Sequence, residues 1–286
     1  MPLRNIRLTI AYDGFDYSGW QIQPGKRTVQ GELVEAVSNL FGKRAYVHGA
    51  SRTDAGVSAL GQVGLFETDS PIPTENLAKA ITDKLPADIA VLEAVEEAWG
   101  FDLMSSVTSK LYRYTIFTGR IRPVLNIRHC WHLPAKLDVT AMARAAKLLV
   151  GQKDFKSFAS AADKRESSVR TIFRCDVNSS CVPSTSLRAG LRDASCEKAN
   201  QESVLEATRT QYARRNTQYE RDWIYVDVEG DGFLYNMVRN IVGTLVDVGV
   251  GRWEPEKITE ILEAKNRTAA GRLAPPQGLC LMWIKY

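Results

Sequence analysis

Residues Ile6-Arg7-Leu8-Thr9-Ile10-Ala11-Tyr12-Asp13-Gly14 set the frame of the chain. Ile6, Leu8, Ile10 and Tyr12 alternate with Arg7, Thr9 and Ala11, the period-two pattern of a strand with one face buried, and Asp13-Gly14 ends it. Beyond a Gly- and Pro-punctuated loop, Thr28 can cap a helix in which Val29, Leu33, Ala36, Val37, Leu40 and Phe41 recur at helical spacing. Residues 45–48 predict a short strand, 49–58 a polar glycine-containing loop and 61–66 another strand. A second capped helix follows over 74–85 and a strand over 89–95. The rhythm then repeats, with a strand at 111–117, a helix at 139–150 capped by Asp138, and strands at 169–177 and 223–229. An apolar helix over 234–248, another over 255–264 and a closing strand over 278–284 complete it. This order predicts an α+β fold of two similar halves, residues 1–104 and 105–286, each a sheet with helices on one face. Residues 178–221, rich in Ser, Arg, Glu and Gln, read as a surface insertion between two paired strands.

At 286 residues the chain is long enough for two buried cores. It is 44% hydrophobic and 24% charged, and its longest apolar runs fall far short of membrane-spanning length. Charges near the N-terminus interrupt the apolar core that a signal peptide needs, and five irregularly spaced cysteines do not form a disulfide framework, so a cytoplasmic protein is expected. A net charge of +4 permits a polyanionic partner without requiring one. Local basic clusters lie at Lys26-Arg27, Lys43-Arg44, Lys110 to Arg113, Arg120 to Arg128 and Arg239, and each could equally be a solvated surface.

Chemistry concentrates in Gly49-Ala50-Ser51-Arg52-Thr53-Asp54-Ala55-Gly56-Val57-Ser58-Ala59. The glycines permit tight turns and close approach of a ligand, and Arg52 and Asp54, two apart, can project into one cleft from an extended loop. From the residues alone, Asp54 could equally cap its own turn through neighbouring backbone N–H groups. Two other clusters bear on metal binding, His129-Cys130-Trp131-His132 and the trio Cys175, Cys181 and Cys196. Neither has a recognised ligand spacing, so a strand with aromatic neighbours and inert thiols are the expected readings. No phosphate-cradling glycine loop follows a strand.

The loop resembles the signature of the TruA family of tRNA pseudouridine synthases, Arg-Thr-Asp-x-Gly-Val-His-Ala. The likeness continues through Tyr12-Asp13-Gly14, Tyr17-Ser18-Gly19-Trp20-Gln21, Thr28-Val29-Gln30 and Lys110-Leu111-Tyr112-Arg113-Tyr114. It extends to Asp154-Phe155 with Ser157-Phe158, to the run from Gly232 to Gly243, and to Pro275-Pro276-Gln277-Gly278-Leu279. The resemblance implies a pseudouridine synthase fold of two α/β-sandwich halves, derived from the ferredoxin-like arrangement, around a largely antiparallel central sheet. It also implies an isomerase that breaks the N1–C1′ bond of a uridine in the tRNA anticodon arm, turns the base and joins C5 to C1′, with no metal or other cofactor.

Asp54 matches the family's catalytic aspartate, which acts by attack or by proton abstraction from the sugar. Tyr112 matches its active-site tyrosine, stacked on the flipped uracil, although an aromatic on a strand is also ordinary core material. Arg239 matches the arginine that pairs with the aspartate and would favour its charged form, although it could also lie on the wet face of its helix. Arg52 matches an arginine that takes the space of the flipped base and holds the neighbouring phosphates. A homodimer is the family's usual assembly.

Ser58 stands where the family usually has His, and the run from Phe101 to Ser106 replaces a block that commonly reads Phe-His-Ala-Arg. These departures predict altered RNA contacts. They also keep two other classes in view: a catalytically inactive RNA-binding relative, and a metal-dependent hydrolase built on the His and Cys clusters.

Overall fold

In the computed structural model, residues 2–163, 165–179 and 222–286 are described. β1 (Arg4–Tyr12) keeps the alternation of its sequence: Ile6, Leu8 and Ile10 are wholly buried, while Arg7 pairs with Glu97 on the opposite face at 2.6 Å. α1 (Val29–Phe41) starts where the Thr28 hydroxyl accepts from the Gly31 N–H and stops at Gly42, whose φ of +64° closes the helix. β2 (His48–Gly49), β3 (Ser58–Thr68), α2 (Thr74–Thr82) and β4 (Ile89–Glu97) complete the first half. The second half contains β5 (Ser109–Phe117), β6 (Trp131–His132), α3 (Val139–Lys147), β7 (Gly151–Asp154), β8 (Val169–Ser179) and β9 (Trp223–Gly230). α4 (Met237–Gly249), α5 (Lys257–Ala264) and β10 (Leu279–Lys285) follow.

The strands form one sheet in the order β4-β1-β3-β10-β5-β9-β8-β7, with β2 beside β3 and β6 beside β5. Within it the first half runs β4-β1-β3-β2 and the second β10-β5-β9-β8, the same connectivity twice. The halves meet along β3: its start pairs with β10 in parallel, Cys280 opposite Ser58, and its later part pairs with β2, His48 opposite Leu65. Most other neighbours are antiparallel, including β1 with β3 and β5 with β9. The inner face joins Leu8, Ile10, Tyr114, Ile116, Val226 and Val228 to the helices through Leu33, Val37, Ile241 and Leu245 in one apolar core. Each such fully buried aliphatic side chain contributes about 1.5–3 kcal/mol.

Some elements differ from the expectation, each for a local reason. Residues 45–47 are not a strand, because the side chains of α1 and its surroundings take their backbone groups: Ala45 N–H donates to Ser38 Oγ and Gln30 Nε2 donates to the Val47 carbonyl. Thr74 does not cap α2; its hydroxyl lies between Arg4 and Glu96, and α2 starts after Pro73 without a side-chain cap. The helix expected from 234 begins only at Met237, because Asn236 holds a left-handed φ of +62°. β8 runs on through Ser179, opposite Ile224, so the expected insertion does join paired strands, while residues 180–221, with Cys181 and Cys196, lie outside the described residues.

Candidate active site

The loop between β2 and β3 is fixed from below. Gly14 and Gly19 lie so close to it that a Cβ would sit 1.9 Å from the Val57 carbonyl oxygen and 2.6 Å from that of Thr53. Trp20 N–H donates to the Thr53 carbonyl at 3.0 Å, and Gly56 N–H to Tyr17 at 3.2 Å. The hydroxyls of Tyr12 and Thr53 are 2.7 Å apart, Gln62 Nε2 donates to the Ser51 carbonyl at 2.7 Å, and Lys110 Nζ donates to the Ala50 carbonyl at 2.9 Å. The loop is thereby presented as a fixed edge of an open cleft of about 1290 Å³.

All four residues singled out by sequence, Arg52, Asp54, Tyr112 and Arg239, line this cleft. Arg239 Nη1 donates to Asp54 Oδ2 at 3.4 Å, and the two side chains are 11% and 24% exposed. The guanidinium is held further by the Ala274 carbonyl, 2.8 Å from Nε, and by Asn236 Oδ1, which shares Nη1 with Asp54 at 2.9 Å. Arg239 is therefore a paired, inward-facing group and does not lie on a wet helix face. Among the described residues the Asp54 carboxylate takes its hydrogen bond from Arg239 and none from its own turn, which removes the turn-capping alternative.

Arg239 favours the charged form of Asp54, as expected, and burial opposes it. Burial raises the Asp54 carboxyl above its ordinary value, and Arg239, pulling the other way at 3.4 Å, offsets this only in part. A charge-assisted bond at full strength would be about 2.7–2.9 Å.

Tyr112 is both core and cleft wall. It is 6% exposed, its ring meets Phe233 edge-on with centroids 5.2 Å apart, and its hydroxyl is 3.1 Å from Ser51 Oγ. Burial pushes its phenol up to about 12, with Asp54 adding to the rise, so it holds its proton at neutral pH. Arg52 is exposed and makes no ion pair among the described residues, which leaves all its donors to a ligand. Sequence reading missed Lys110 as an individual: it shares a sheet face with Tyr112, two residues away, and burial lowers its amine to about 8. Asn236 was missed as well; an Asn just ahead of an apolar helix, a residue type tolerant of left-handed φ, is the signal that could have found it.

Ser58, in place of the family's His, is buried and accepts from Gly14 N–H at 3.0 Å, so it braces the loop from behind. In the other departure, Asp102 Oδ1 accepts from Met104 and Ser105 N–H, which forms a turn that leaves Met104 exposed on the cleft wall. The His and Cys cluster is used otherwise: Cys130 is wholly buried, His132 Nε2 is 2.9 Å from the Gly119 carbonyl, and His129 lies 3.7 Å from Asp13. No helix among the described residues is long and apolar enough to cross a membrane.

The twice-used β4-β1-β3-β2 unit is the two-halved fold that the resemblance implies, and it holds an acid, a phenol and a guanidinium in one open cleft. Comparison with known proteins agrees: residues 8–101 and 145–286 match the family described as tRNA pseudouridine synthase. Among curated proteins, the chain is 41% identical to tRNA pseudouridine synthase A of Moorella thermoacetica over 98% of this chain and 99% of the relative. It is 37% identical to the protein of that name from Caldicellulosiruptor saccharolyticus over 99% and 100%, and 36% identical to that of Geobacter sp. strain M21 over 99% and 99%. The chain belongs to the tRNA pseudouridine synthase family.

Proposed function

We propose that this chain isomerises uridine to pseudouridine in the anticodon arm of tRNA, with Asp54 as the catalytic carboxylate. The observation that carries the reading is Asp54, on a braced loop, 3.4 Å from the partly buried Arg239 in a cleft that Tyr112 and Arg52 also line. Residues 1–104 supply the acid and 105–286 the phenol and guanidinium. The ionised carboxylate serves either opening step, attack on C1′ or removal of a sugar proton, because each needs negative oxygen beside the ribose. Tyr112, protonated at neutral pH, offers its ring and a hydrogen-bond donor to the turning base. Arg52 takes the space left by the extruded nucleotide and the phosphates on either side. A homodimer in the cytoplasm is the assembly and setting that the family resemblance supports.

The test is recombinant protein with unmodified tRNA transcripts, pseudouridine being mapped by mass spectrometry. The wild-type protein forms it at anticodon-arm uridines, and Asp54→Asn forms none while binding tRNA nearly as well. Product made by Asp54→Asn would remove the acid from this role. Tight, salt-sensitive binding with no product from the wild-type protein would make it an inactive RNA binder.

A further inference from the structure

One wholly buried carboxylate among the described residues lies outside the cleft. Asp247, two turns beyond Arg239 on α4, is 0% exposed. Its Oδ1 accepts from Arg272 twice, from Nη2 at 2.9 Å and from Nε at 3.2 Å. Its Oδ2 lies 3.7 Å from Arg252 Nη1 and takes no hydrogen bond among the described residues. A buried ion pair of this kind adds little to stability, because desolvation offsets much of its attraction, so its place in the fold calls for another reason.

The reason lies in the segment from Arg267 to Ala274, which is strapped along α4. Arg267 Nη2 donates to Asn240 Oδ1 at 2.7 Å, and Gly271 N–H to Thr244 Oγ1 at 3.0 Å. The Arg272 carbonyl lies so close to Gly243 that a Cβ there would sit 1.7 Å from it. Positions 240, 243, 244 and 247 form one i, i+3, i+4, i+7 stripe of the helix. Two residues after Arg272 the strap reaches Ala274, whose N–H donates to the Arg239 carbonyl at 3.2 Å and whose carbonyl accepts from Arg239 Nε at 2.8 Å. The placement of the strap along α4 therefore sets where the guanidinium points.

We propose that Asp247 is a positioning residue for the isomerisation: by clamping Arg272 it fixes the strap so that the Ala274 carbonyl aims Arg239 at Asp54. The inference rests on the proposed role of Asp54. Gly271 completes the clamp, since a Cβ there would lie 2.6 Å from Asp247 Oδ2. When the clamp is released, Arg239 loses its fixed direction and its lowering influence on the Asp54 carboxyl weakens. The groups bearing on Asp54 are Arg239 from α4 and Tyr112 from β5; Arg52, Lys110 and Arg165 also line the cleft, and none of them touches Asp247.

The test compares wild-type protein, Asp247→Asn and Arg272→Ala for tRNA affinity, melting temperature and single-turnover rate against pH. Both variants should bind tRNA within about twofold of wild type and turn over about tenfold more slowly, a loss of about 1.4 kcal/mol in barrier. The acidic limb of their pH profiles should move to higher pH, and the double variant should be no slower than either single one, because both act through one strap. Variants that melt lower but keep the wild-type rate and acidic limb would reduce Asp247 to a stability residue and overturn the proposal. If Asp247→Asn does not fold, Arg272→Ala, altered at the half-exposed end of the pair, decides it. A wild-type protein without activity, or an active Asp54→Asn, would instead sink the reading of Asp54.

Discussion

The guanidinium of Arg239 meets the Asp54 carboxylate at 3.4 Å although the two are 185 positions apart in the chain. That contact uses one arm of a fork whose other bonds run to Ala274 and Asn236, a geometry that a single ammonium cannot reproduce. Arg239→Lys should therefore keep the charge and lose the aim. Its single-turnover rate should fall about tenfold to a hundredfold, the range of one charged hydrogen bond worth about 1.5–3 kcal/mol, with tRNA affinity little changed. A lysine variant at wild-type rate would show that charge alone suffices.

Asp54 should also limit stability. Burial lifts its folded carboxyl above that of the unfolded chain, so folding disfavours the ionised form. The penalty is absent below the unfolded value, ~3.9, grows as pH rises through the folded one, and is complete above it. Asp54→Asn should melt higher than wild type at pH 7, with the difference vanishing in acid, while activity is lost. A lower melting temperature at pH 7 would mean that the contact with Arg239 outweighs burial.

Tyr112 should not contribute a basic limb to the pH profile, because its phenol is pushed up to about 12 and stays protonated throughout the working range. Tyr112→Phe keeps the ring against Phe233 and leaves the Ser51 hydroxyl without its partner, at a cost of about 1 kcal/mol in stability. The rate should fall by at least about tenfold if the phenol hydrogen-bonds the turning base. An unchanged rate would confine the residue to packing.

The reach of sequence reading follows from the range of the forces involved. β1 and α1 were legible because Ile6, Leu8, Ile10 and the Val29–Leu33–Val37 stripe state their own periodicity, and the Asp54 loop because small residues isolate one acid and one arginine. Arg239 was legible as a charge in an apolar helix. Residues 45–47 were misread because Gln30 and Ser38, on the preceding helix, take the backbone bonds a strand would have used. The net rise of the Asp54 carboxyl lay beyond sequence reading, because it depends on how far burial exceeds a 3.4 Å contact, a balance only the folded cleft sets.

Lys110 should report the arrival of RNA. Its amine, lowered to about 8 by burial with a smaller contribution from Arg165, is half protonated at pH 8 and lines the cleft beside Tyr112. Phosphates entering the cleft favour the charged form, so binding at pH 8 should take up to about half a proton from solution. Calorimetric titrations in buffers of different ionisation enthalpy would measure this uptake, which should vanish in Lys110→Met. Equal uptake by the methionine variant would place the proton elsewhere.

Gly19 and Gly25 both have positive φ, +93° and +69°, yet of the two Gly19 alone touches the Asp54 loop. A Cβ at Gly19 would sit 2.6 Å from the Thr53 carbonyl oxygen and 3.1 Å from the Asp54 carbonyl carbon, whereas at Gly25 nothing lies within 4 Å. Each alanine variant should lose about 1–2 kcal/mol through the left-handed backbone. Only Gly19→Ala should also displace Asp54 from Arg239, lowering the single-turnover rate by about tenfold or more while Gly25→Ala keeps it, since a misplacement of ~1 Å near reacting atoms is enough. Equal rates in the two variants, at equal loss of melting temperature, would show that the loop adjusts freely and that its bracing by the segment from Tyr17 to Trp20 does not govern the chemistry.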